Sequence, residues 1–155
     1  MNIRISGMIA VIALFFVSNA VAQTMQGTFF PTLFWGNNVD LGVMLTKPNE
    51  MLIVDSKGNK HEKVLATEAV SSVYISPNGQ KLVYTTGTGI WLVALGTGQT
   101  QLVTSGDCYS LYWSADSLSF LFTVWETRKE EVSATSRFKL LWAAGDGKNL
   151  KQVYP

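Results

Sequence analysis

The chain has one cysteine, one histidine and four prolines in 155 residues. A single thiol cannot close an internal disulfide, so stability in an oxidising compartment has to come from packing. Cys108, between Asp107 and Tyr109, reads as a small buried hydrophobe. His61 stands alone in "GNKHEKV", a solvated turn-to-strand edge, and no G-x-S-x-G elbow accompanies it. No Cys/His cluster and no Asp-x-Asp-x-Asp loop is present, so no metal site is expected. "TTGTGIW" lacks the Lys-Ser/Thr of a phosphate-binding loop and leads into strand-forming residues, which reads as a hairpin through Gly87 and Gly89. Neither sign of charge dominates: the formal net charge is +1. Long-range attraction to nucleic acid or to an anionic membrane is excluded on that ground. The sequence thus predicts no catalytic residue, no cofactor and no nucleic-acid partner.

The one apolar run of note is at the start, "MNIRISGMIAVIALFFVSNAVAQ". Arg4 precedes an apolar stretch from Met8 to Val17, and Ala20-Val21-Ala22 follows it. That is the pattern of a secretory signal peptide over residues 1–22, cleaved after Ala22. The stretch is short of the ~20 residues that span a bilayer, so no integral membrane span is expected. No cysteine follows it to take a lipid, and no Asn-x-Ser/Thr sequon occurs anywhere. A periplasmic or secreted location follows as the expectation. Without Arg4, the twelve Lys and Arg fall to eleven against eleven Asp and Glu.

Beyond Gln23, short runs of Val, Ile, Leu and aromatic residues alternate with Gly, Asn, Asp, Pro and Ser, and no 3.6-residue apolar period is sustained. An all-β chain is predicted, with strands at roughly ten-residue spacing in three groups of four. Asn78-Gly79 in "SPNGQKLVY" is the signal of a tight turn between antiparallel strands. It recurs: Ser76 and Ser114 open corresponding turns 38 residues apart. Gly58 and Gly98, 40 apart, sit in the turn between third and fourth strands, and Gly147 follows 49 further on. The excess of eleven residues over the 38-residue serine spacing is "ETRKEEVSATS", between the second and third strands of the last group.

A four-stranded unit repeated every ~40 residues is the pattern of a β-propeller blade, which buries its faces only against neighbouring blades. A partial propeller of three blades is predicted over 23–155, at about 27–66, 71–104 and 109–154. Trp35, Ile75 and Trp113 end the three first strands, so Trp35 and Trp113, with Trp91, are expected in the blade-to-blade core.

As a string, "YISPNGQKLVYTTGTGIWLVALGTGQTQLVT" resembles the TolB-like (WD40-like) repeat family, through Ser76, Pro77, Gly79, Lys81, Leu82, Tyr84, Ile90, Trp91, Gly98, Leu102 and Thr104. The third unit is similar through Trp113, Ser114, Asp116, Phe120, Phe122, Leu140, Asp146 and Gly147, while the first keeps Trp35 and loses the turn. The resemblance covers about 120 residues. It implies a non-catalytic binding module in the cell envelope that contacts a protein partner through a rim. The charged loop with Glu126, Arg128, Lys129, Glu130 and Glu131 is the candidate contact. The alternative is a fragment of a larger propeller protein, TolB-like or the propeller domain of a prolyl-oligopeptidase-like peptidase. An open arc of three blades leaves an apolar face bare at each end, on the order of 10 kcal/mol of unrealised burial per face. A homodimer closing a six-bladed ring would remove both.

Overall fold

The computed structural model describes residues 31–125 and 138–154. The expected signal peptide and the charged loop from Glu126 lie outside the described residues. Twelve strands form three antiparallel sheets of four, each ordered as the chain runs, and no helix occurs among the described residues. The first sheet has β1 (Thr32–Trp35), β2 (Gly42–Lys47), β3 (Glu50–Val54) and β4 (Lys60–Leu65). The second has β5 (Ser72–Ile75), β6 (Lys81–Thr85), β7 (Gly89–Ala94) and β8 (Gln99–Ser105). The third has β9 (Asp107–Trp113), β10 (Ser119–Trp125), β11 (Phe138–Ala144) and β12 (Lys151–Tyr154). The all-β, three-sheet architecture anticipated from turn spacing is the one found.

Local chemistry sets the register. In the second sheet Ser76 N donates to Lys81 O (2.9 Å), and the Ser76 hydroxyl accepts from Lys81 N (3.0 Å). In the third, Ser114 N donates to Ser119 O (2.9 Å), and the Ser114 hydroxyl accepts from Ser119 N (3.0 Å). Both hydroxyls also meet the Asx side chain two residues on, Asn78 Oδ1 at 2.9 Å and Asp116 Oδ1 at 2.6 Å. The first sheet keeps the frame without the side chains, through Gly36 N donating to Leu41 O (2.9 Å). Short polar residues that satisfy their own turn leave nothing for a longer loop to adopt.

Alternation along each strand gives every sheet two apolar faces, a forward one toward the next sheet in the chain and a rear one. Val43, Leu45, Met51, Ile53 and Val64 on the forward face of the first sheet meet Val73, Leu82, Tyr84 and Val93 on the rear of the second. Val83, Ile90 and Leu92 on the forward face of the second meet Leu111, Phe120, Phe122, Val124 and Leu141 on the rear of the third. The core is therefore two seams rather than one centre. The first strands of successive sheets lie side by side, β1 near β5 and β5 near β9. Polar clasps stitch the second seam: Trp113 Nε1 donates to Tyr74 O (3.1 Å), Asn78 N to Ser117 Oγ (3.0 Å) and Lys81 Nζ to Gly145 O (2.8 Å).

Two faces have no partner sheet among the described residues. The rear of the first sheet shows Leu33, Trp35 and Leu65, with Met44 and Leu52 half-buried between them. The forward face of the third shows Tyr112, Leu121, Phe138 and Tyr154 around half-buried Leu140 and Trp142.

Candidate binding surface at the inner rim

β1, β5 and β9 end at one rim of the arc, and the turns that follow them enclose a cavity of about 290 Å³. Trp35, Tyr74, Tyr112 and Trp113 form aromatic walls, Pro77 and Ala115 sit on the turns, and Asn37 and Asn38 bring amides to the mouth. No carboxylate, amine or imidazole is in this lining. Tyr74 belongs to both the cavity and the second seam. Burial, aided by the neighbouring Cys108, raises its phenol above the ordinary value, so it stays protonated and can donate. Rigid rings with few rotatable bonds, flanked by amides that donate and accept, suit an uncharged polypeptide or ring-bearing ligand. A larger cleft, about 450 Å³ between Lys81, Leu92, Gln101 and Asp146, opens on the outer side of the second seam. It is already crossed by Gln101 donating to Asp146 O. We favour the inner rim because three sheets contribute to it.

The expectation for Trp35 is corrected here. It holds the same rear-face position as Ile75 and Trp113, yet it is 44% exposed. The physical reason is that no sheet packs behind the first one, so the position lines the cavity and covers Gly42 instead of entering a seam. Trp113 packs against the second seam, its ring tilted against that of Phe120 with centroids 4.9 Å apart. Trp91 packs against the first seam, stacked 6.2 Å from Tyr84, and its buried indole nitrogen has no hydrogen-bond partner. Glu126, Arg128, Lys129, Glu130 and Glu131 lie outside the described residues.

His61 lies on β4, half-exposed, with Nε2 3.1 Å from Asp55 Oδ2. Cys108 is half-buried against the second seam, and burial, with Asp107 adding to it, pushes its thiol up to about 11. It is a thiol at neutral pH. Among the described residues no group of three or more His, Cys, Asp or Glu is placed to hold a metal, and no helix is long and apolar enough to cross a membrane. Asn37, Asn38 and Tyr112 were missed from the sequence. Tyr112 could have been found, since the residue before a rear-face position at the end of a first strand must point the other way.

Three twisted four-stranded sheets, stacked face to face with their first strands innermost, define part of a β-propeller. No family profile and no curated protein matches this chain. Among solved structures, the crystal structure of the tricorn protease is similar with a TM-score of 0.63 and 14% identity, covering 77% of this chain and 12% of that one. The β-propeller domain of the Trilobed protease from Pyrococcus furiosus follows at 0.59 and 16%, covering 79% and 42%. The nidogen/laminin complex gives 0.54 and 11%, covering 76% and 45%. These likenesses establish the propeller fold. The chain spans less than half the length of each of these three.

Proposed function

We propose that this chain is a non-catalytic propeller module of TolB-like kind that binds a protein partner in the cell envelope at the inner-rim cavity. The observation that carries this reading is the cavity itself. Its aromatic and amide walls come from three separate sheets, so the rigid stack holds them in place before any ligand arrives. The sequence of residues 1–22 supports export to the periplasm or beyond, and the repeat signature through Ser76, Gly79, Trp91 and Trp113 supports the TolB-like kinship.

Ala115 is exposed at the cavity, so Ala115→Arg fills the opening and leaves both seams intact. The chain, used as bait in envelope extract at physiological salt, is expected to recover one partner that Ala115→Arg and Asn38→Ala lose. Equal recovery by wild type and both variants sinks the cavity as the site. Hydrolysis of peptides or esters abolished by His61→Ala would replace the binding reading with an enzyme.

A second reading, that the chain is one part of a larger propeller protein without activity of its own, is favoured by the small share of each solved structure that it covers. Coding sequence read beyond Pro155 decides between them: further blade-like repeats favour the part, unrelated sequence the module.

A further inference from the structure

The two bare faces are the two halves of a seam that the molecule already builds twice. At the first seam Glu62, opposite Ile53 in the β3–β4 pairing, reaches to the next sheet and accepts from Gly96 N (2.7 Å). At the second, Gln101, opposite Leu92, reaches to the corresponding turn of the third sheet and donates to Asp146 O. Ile53, Leu92 and Trp142 hold the same place, each on the forward face of a third strand. The residue opposite Trp142 is Lys151. Its ammonium lies 5.4 Å from the centre of the Trp142 ring, and among the described residues no turn stands where the clasp would land.

The first sheet presents a matching receiver. Asp40 stands where Gln80 stands in the second sheet, each one residue before the acceptor that closes its turn, Leu41 and Lys81. Gln80 lies beside Glu62 in the cleft of the first seam. By that repeat, a sheet docked behind the first would set its fourth-strand clasp against Asp40. Asp40 is exposed and accepts from Ser56 N (3.2 Å) and Ser56 Oγ (2.8 Å) of the neighbouring β3–β4 turn, which Asp55 opens. The clasp that meets this carboxylate is a lysine, whereas the two internal clasps are a carboxylate on an amide and an amide on a carbonyl.

We propose that the forward face of the third sheet docks on the rear face of the first sheet of a second copy, and reciprocally. Two chains then close a six-bladed ring about a two-fold axis along the channel, with Lys151 of each copy against Asp40 of the other. The seam is heterologous, and rotation by one half-turn closes it. Six blades lie within the common range of four to eight, which three copies would exceed. A face of four strands by five residues measures roughly 19 Å by 17 Å from strand spacing and rise. Two seams give roughly 600 Å² per copy in projection, near the ~800 Å² per partner of a standard stable interface. The apolar content is complementary in size, with Tyr112, Phe138 and Trp142 facing Leu33, Met44 and Leu52.

Light scattering on the full-length chain, purified with its own N-terminus, is expected to give twice the chain mass at micromolar concentration. Lys151→Glu is expected to raise the dissociation constant at least tenfold, and adding Asp40→Lys to restore it, with unchanged far-ultraviolet dichroism. Under mild oxidation the Asp40→Cys, Lys151→Cys chain is expected to cross-link to a two-chain species and nothing larger. A folded monomer, assemblies larger than two, or a dimer that neither responds to Lys151→Glu nor cross-links overturns the ring. So does a cross-link at single-chain mass, which would mean that the arc closes on itself. Chain mass reads the ring and partner capture reads the cavity, so either proposal can fail without the other.

Discussion

At Gly79 the backbone adopts φ 69°, and a Cβ built there would stand 2.7 Å from Val39 Cγ2 of the first sheet. Both the left-handed turn and the close approach between sheets therefore require glycine. Ser117 holds the corresponding place in the third sheet at φ 62°, and its buried hydroxyl accepts from Asn78 N (3.0 Å). A short polar side chain offsets its backbone strain by clasping the neighbouring sheet, which an alanine could not do. Gly79→Ala is expected to destabilise by about 1–3 kcal/mol, the cost of a left-handed non-glycine residue. Chemical denaturation with an unchanged slope checks it. A loss below about 0.5 kcal/mol would show that the first-sheet loop gives way freely. Glycine here was legible from the Asn-Gly pair, but the role of Ser117 was not. Its positive φ is imposed by the repeat rather than by its own preference.

Strands with both neighbours behave differently from strands that end the stack. Trp113 packs at a tilt against Phe120, donates to Tyr74 O and closes the second seam at its inner end. Its removal leaves a cavity and takes one donor from Tyr74 O, and Trp113→Ala is expected to cost about 3–5 kcal/mol. Trp35→Ala, at the same position on an uncovered face, is expected to cost under about half as much at concentrations where the chain is monomeric. Thermal melts of the two variants at low concentration make the comparison, and equal losses would mean that Trp35 is a core residue after all. The strand pattern, the turn spacing and the shared position of these two tryptophans could all be read from alternation. Their difference in burial could not, because it depends on which sheet stands behind.

Across the whole molecule, stability is a sum over sheets and the seams between them. The second sheet is packed on both faces, with Leu82, Val83, Ile90 and Val93 fully buried, while all four residues of β12 are exposed. Native-state hydrogen exchange is expected to be slowest in β6 and β7 and fastest in β12, with the first and third sheets between. Uniform protection across the twelve strands would instead mean one cooperative core. The repeat is what made this architecture readable. Asn78-Gly79, Ser114-Ala115-Asp116 and the recurring glycines Gly58, Gly98 and Gly147 each act through bonds within a few residues, so sequence alone determined the strands, their order and the three-sheet division. The inner-rim cavity and the two bare faces bring together residues as distant as Trp35 and Trp113. Only the stacking of sheets decided those, because it is packing between repeats, not the pattern within one, that settles which apolar side chains are covered and which are left to meet a partner.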